Sequence, residues 1–290
     1  MWYVAAAIEH AFGISLWITT LAYLVLIVQR NSIRTLYKNS PPLLLVFVSI
    51  FISAMVYLCA LPLWMLISSQ LLSSLNRQTR LVLVVSLFSQ FVRFYYDIAT
   101  LTLFIRRILI LLFPLKPMRT VTKYQIYIVI AINFLLLIAV ALMYGPIVLN
   151  DTTPIPPGCF SPSCMAQLRD SRTEFTVYLR LALTAIILAV GTVFLVVLRK
   201  KHFMQKTTFD AKVNQIARYV FYLRVVLELL PVVVDMVLAN TVQIALASYV
   251  GPYGILGYTI ECSIGTLFYC RIMSKKALLP QTVNTRSVRS

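Results

Sequence analysis

The sequence predicts an all-α membrane protein, a seven-transmembrane-helix bundle with the N-terminus outside and the C-terminus in the cytoplasm. Three observations carry this. The 290 residues are 60% hydrophobic and 12% charged, with a mean hydropathy of +0.86, whereas a soluble domain carries about 25% charged residues. Seven segments reach the length of about 20 mostly apolar residues that a span needs. Lysine and arginine divide unevenly between the two sets of connections, 19 on one side and 4 on the other. By the positive-inside rule the richer side is cytoplasmic. The net charge of +17 is spread over these short loops, so a nucleic-acid partner is excluded and the bilayer is the expected one.

The first segment, 8–29, has no basic residue before it and runs on towards Gln29. A signal-peptide core spans about 7–15 residues with a positive flank, so this segment is expected to stay as a signal anchor. The second segment, 42–67, contains Pro62, and the third is 81–113. The fourth is 124–147, with Pro146 near its end, and the fifth is 176–198. The sixth, 217–240, and the seventh, 250–273, carry charge, and Pro231 and Pro252 lie in them. Proline marks helix ends or kinks. One membrane domain, 1–275, is expected, with a short cytoplasmic tail, 276–290. The halves show no repeat, which gives no support to inverted-repeat transporter folds.

The connection NDTTPIPPGCFSPSCMAQLRDSRTEF is the longest on the outer side. Cys159 and Cys164 stand there in an oxidising compartment, which favours a local disulfide over two free thiols. Asn150-Asp151-Thr152 is an N-x-S/T sequon, but its place at the fourth helix end weighs as much against a glycan as for one. Cys59, Cys262 and Cys270 fall in apolar segments and are expected to be reduced packing residues. The loop RKKHFMQKTTFDAKVNQIAR, with Arg199, Lys200 and Lys201, is basic. It reads either as contact with anionic lipid or as a docking face for a cytoplasmic partner.

Beyond the first segment, seven ionisable residues lie within spans: Arg93, Asp97, Arg180, Arg224, Glu228, Asp235 and Glu261. Each costs about 2.5–3.5 kcal/mol at mid-bilayer on insertion scales, so mutual pairing is expected. At about 100° per residue, Asp97 lies about 40° from Arg93, and Arg107 about 40° to the other side. The three form one polar stripe, while Arg106 points elsewhere and snorkels. Arg224 and Glu228 are i,i+4 neighbours, with Asp235 about 20° from Arg224 on the same face. Arg180 and Arg224 also sit near helix ends, where snorkelling competes with pairing. A register-fixing polar network and a functional site are both open readings, and Arg93–Asp97 is either a switch or a permanent pair.

No catalytic set is visible. His10 and His202 fall on opposite sides of the membrane, and there is no metalloprotease motif, nucleophile elbow or phosphate-binding loop. Neither an enzyme nor a metal or other cofactor is expected.

In RRILILLFPLK, Arg107 stands seven residues before Pro114. This spacing resembles that of the arginine and proline in the rhodopsin-like Asp-Arg-Tyr…Pro-Leu motif, with Arg106 in place of the acid and Ile108 in place of the tyrosine. Gly265-Thr266-Leu267-Phe268-Tyr269 stands where those receptors have Asn-Pro-x-x-Tyr, and the third segment has no cysteine near its outer end. With PPGCFSPSC, ELLP and VGPYGILGYTIECSIGTLFYCRI, the chain resembles the nematode serpentine chemoreceptors, most nearly class bc, within the G-protein-coupled receptors. The resemblance implies a plasma-membrane protein, in some members of sensory-neuron cilia. A small chemical ligand would bind between helices 3, 5, 6 and 7, near Arg93, Asp97, Glu228, Asp235 and Glu261. A heterotrimeric G protein would couple at Arg107 and at Arg199, Lys200 and Lys201, with Pro231 as the pivot. Asp210 is a weak substitute partner for Arg107. Two rivals stand beside this reading. One is an ion- or proton-coupled transporter or channel using the intramembrane charges. The other is a structural or trafficking protein.

Overall fold

The computed structural model describes residues 2–30, 32–68, 76–113, 119–150, 173–200, 208–241 and 253–274. These are all-helical, with no strand among them. The helices are α1 (Trp2–Arg30), α2 (Ile33–Asn39), α3 (Pro41–Ser68), α4 (Asn76–Leu112), α5 (Arg119–Asn150), α6 (Thr173–Lys200), α7 (Thr208–Arg224), α8 (Leu230–Thr241) and α9 (Tyr253–Ser274). A π-helical turn, Val225–Leu229, joins α7 to α8.

Five of these helices are long and apolar enough to cross a membrane, over Ala6–Arg30, Pro41–Leu66, Arg80–Leu112, Lys123–Pro146 and Tyr178–Lys200. They coincide with the first five apolar segments of the sequence. Their outward faces carry large apolar side chains, for example Tyr127 and Leu142 on α5 and Val4 and Ile8 on α1. Surface of this kind suits lipid rather than water. The helices hide their hydroxyls by bonding them back one turn. Thr20 donates to the Leu16 carbonyl, Thr102 to Ile98 and Thr266 to Cys262, which removes a buried polar cost.

Helix α4 is the longest, 37 residues, and the organising element. It packs on α3, α5 and α6 and touches α7, while α1 packs on α3 and α9, and α9 on α7 and the π turn. One core runs through these contacts, from Trp17, Ile50 and Tyr57 to Phe104, Phe194 and Phe221. Gly191 makes room for it: a Cβ there would stand 2.3 Å from the Phe221 ring.

Two expectations, for the connection 30–41 and for Arg106, are corrected, and the sixth helix and Arg224 are placed. The connection 30–41 is not simply a loop but holds α2, which Leu36 anchors in the core. The helix of the sixth segment starts at Thr208, close to Asp210, and the apolar run from 217 lies within it, because a polar helical turn extends beyond an apolar span. Arg106 does not snorkel but is 8% exposed. Arg224 does not snorkel either, being 1% exposed within the bundle, because carboxylates on three segments surround it.

Candidate functional site

Halfway along α4 the interior is charged. Arg93 donates from Nη2 to Glu228 Oε1 at 2.9 Å. Arg224 donates to Asp97 and, from Nε, to Glu228 Oε2 at 2.9 Å. Its Nε also stands 3.7 Å from Glu261 Oε1. Arg180 reaches Glu228 Oε1 at 3.5 Å from a side chain one-third exposed. Three guanidiniums therefore face three carboxylates, drawn from α4, α6, α7, the π turn and α9. The formal charges cancel. A buried pair that loses one partner costs about 3–5 kcal/mol, so a set in which each charge is answered is the arrangement a dry interior permits.

Arg93 and Asp97 lie on one face of α4, as the periodicity predicts, yet no described ion pair joins them. Each is taken by α7 or the π turn instead: Arg93 by Glu228 and Asp97 by Arg224. Arg224 and Glu228 are paired i,i+4 as expected. The side chain of Asp235 lies outside the described residues.

A layer of aromatic rings that the sequence reading passed over walls this cluster. Trp17, Tyr57, Tyr96 and Tyr258 are all buried. The Trp17 and Tyr57 rings stack at 5.3 Å, and Tyr96 meets Tyr258 edge-on at the same distance. The Arg93 guanidinium lies 5.3 Å from the Tyr258 ring centre and that of Arg224 lies 5.2 Å from Tyr96, within cation–π range. The phenols are tied down as well. Tyr96 donates to Glu261 Oε1 at 2.8 Å, Tyr57 to the Ser89 carbonyl at 3.2 Å, and the Tyr258 and Ser53 hydroxyls share a 2.7 Å hydrogen bond. Two of the four rings had a signal in the sequence, Tyr96 just before Asp97 and Tyr258 one turn before Glu261. Two buried polar atoms of the cluster, Glu261 Oε2 and Arg224 Nη1, have no hydrogen-bond partner among the described residues.

The π turn places Glu228. Pro231 has no N–H, so the Leu227 carbonyl four residues earlier cannot receive the usual helical bond. The Leu230 N–H bonds instead to the Val225 carbonyl, closing the wider turn. Gly257 of α9 lies against that Leu227 carbonyl; a Cβ on it would stand 2.5 Å from the oxygen. Local widening of this kind is common at functional sites.

Near the other end of α4, Arg107 is 1% exposed. Its Nη1 donates to Asp210 Oδ1 of α7 at 2.8 Å and its Nη2 to the Ser40 hydroxyl, between α2 and α3, at 3.1 Å. The substitute acid named from sequence is thus the acid present. Arg199 and Lys200 are exposed at the end of α6. Lys201, Cys159 and Cys164 lie outside the described residues, as does the side chain of Asn150. Among the described residues no group of histidine, cysteine, aspartate and glutamate could hold a metal ion, and Cys59, Cys262 and Cys270 are free thiols. Comparison with protein-family models, with characterised proteins and with solved structures finds no match.

Proposed function

We propose that the chain is a seven-transmembrane-helix chemosensory receptor of the plasma membrane, resembling the nematode serpentine receptors. On this reading α7, the π turn and α8 form the sixth span and α9 the seventh, with the N-terminus outside. The observation that carries the reading is the placement of two charged sites on one helix. The Arg93–Asp97 level of α4 is joined to every helix expected to surround a ligand. The Arg107 level is joined to α7 by Asp210 at the basic end of the bundle.

A small ligand with a polar group would bind beside the cluster, where Glu261 Oε2 and Arg224 Nη1 are unspent. By favouring one set of pairings over another, it would shift a pre-existing equilibrium between inactive and active packings. The π turn at Pro231 is the place for α7 to pivot. Release of Asp210 from Arg107 would then open a cleft for a heterotrimeric G protein, beside Arg199, Lys200 and Lys201.

The test is a calcium-reporter screen of cells expressing the chain against a chemical panel. A ligand-dependent response is expected, and Arg107→Ala is expected to abolish it with surface expression intact. A chain that answers no ligand but passes ions or protons in reconstituted liposomes would place the cluster on a transport path instead.

A further inference from the structure

Of the charged side chains in the interior cluster, Arg180 is the least committed. Glu228 holds three guanidiniums: Arg93 on Oε1 at 2.9 Å, Arg224 on Oε2 at 2.9 Å and Arg180 on Oε1 at 3.5 Å. The Arg180 contact is the longest of the three, and it falls on an oxygen that Arg93 already occupies. Among the described residues it is the one ion pair that Arg180 makes. The Arg180 side chain is also the accessible one, a third exposed, whereas those of Arg93 and Arg224 are buried. Arg180 stands just inside Tyr178, where the membrane-crossing stretch of α6 begins. On the proposed orientation it therefore marks the outer mouth of the cluster. No step of the signalling route above uses it.

A molecule reaching that mouth meets a cation first. The three carboxylates are buried and each already stands within ion-pair distance of a guanidinium. An ammonium ligand would have to displace an arginine inside a dry cluster, at the cost of a bared charge. An anion has the open route. The planar fork of Arg180 suits a carboxylate at two points. If Arg180 turns to it, Glu228 keeps Arg93 and Arg224 at 2.9 Å each, so its own charge stays answered. A second negative charge on the ligand finds no further exposed guanidinium in the cluster, which disfavours dianions such as phosphate monoesters. An uncharged carbonyl accepts from the fork too, but a charged acceptor makes roughly twice as strong a bond.

We propose that Arg180 is the anchor of the ligand site and that the ligand is a small organic monocarboxylate, held by the guanidinium fork at the outer margin of the cluster. The inference rests on the receptor reading for the side of entry and for what binding does next. The anchor itself is read from exposure and pairing. Capture of the carboxylate draws Arg180 off Glu228 Oε1 and leaves that oxygen to Arg93. Glu228 lies in the π turn, so an event at the mouth reaches the pivot through one carboxylate.

The experiment is thermal unfolding of the full chain in nanodiscs, without G protein. The probes are acetate, hexanoate and phenylacetate, each beside its methyl ester, with hexylamine and phenethylamine as cations and adipate as the dianion. A molecule that binds only the folded chain raises Tm with its concentration. The monocarboxylates are expected to act at concentrations roughly tenfold below those of their esters, and the amines and adipate are expected to do no better than the esters. Arg180→Gln is expected to bring acid and ester to parity. Arg180→Lys, which keeps the charge in the cluster and loses the fork, is expected to retain part of the preference. Arg80→Gln, at an exposed position where the α4 span begins, is expected to leave it unchanged. Equal loss in Arg80→Gln would show diffuse charge only and overturn the anchor. A preference for amines or esters, the absence of any carboxylate shift, or a preference that survives Arg180→Gln would overturn it too. Carboxylate binding through Arg180 with no response in reporter cells would sink the receptor reading and leave the anchor standing. A reporter response without Arg180-dependent carboxylate binding would do the reverse.

Discussion

At the level of Arg93 and Asp97, α4 meets four further charged side chains from four other segments. About 15 Å further along, ten residues at 1.5 Å each, Arg107 meets one carboxylate and one hydroxyl. The first site is closed: its carboxylates are 1–2% exposed, and Arg224 alone touches three of them. The second is open on one side, with Asp210 30% exposed, so water can take over when the pair parts. The interior set therefore holds the helices together. Asp210 can turn to water while Arg107 stays buried, so on the proposed reading the pair serves as a latch.

The sharpest way to break this comparison is to remove the hub. Arg224→Met leaves three carboxylates facing two guanidiniums, and a loss of about 3–5 kcal/mol is expected. Thermal unfolding in nanodiscs would show it as a large fall in Tm; a loss below about 1 kcal/mol, the scale of an exposed pair, would mean that the interior set is not closed. Gly257→Ala is expected to cost about 1–3 kcal/mol through overpacking against the Leu227 carbonyl. An unchanged Tm would mean that α9 does not approach the π-turn backbone this closely. Asp210→Asn keeps an oxygen for Arg107 but removes the counter-charge of a buried guanidinium, and is expected to cost about 1–3 kcal/mol and, on the proposed reading, to raise ligand-independent reporter activity. Unfolding on the scale of the Arg224 variant would contradict the latch. Gly145→Ala, with nothing within 4 Å of the new methyl, is expected to change stability by no more than about 1 kcal/mol, in the stabilising direction.

The first five spans were legible because each is a long apolar run, and composition alone separates such a run from a soluble helix. The sixth helix was legible as starting near Asp210 although its apolar run begins only at 217, because Asp210, Lys212 and Asn214 keep the helix going outside the apolar span. Helix α2 was missed because seven residues with two cations give no apolar run to notice. Helical periodicity correctly put Arg93, Asp97 and Arg107 on one side of α4. It could not say that Arg93 would reach Glu228 and leave Asp97 to Arg224, because pairing across helices depends on their relative depth, which local spacing does not encode. The aromatic wall was overlooked for a related reason. Trp17, Tyr57, Tyr96 and Tyr258 lie on four different helices and meet only when those helices pack.

The most direct measurement is ligand-dependent G-protein activation in cells expressing Arg107→Ala beside the unaltered chain, with surface expression quantified in both. The account predicts that the response disappears while the amount of protein at the surface is unchanged. A full response from the Arg107→Ala chain would contradict it.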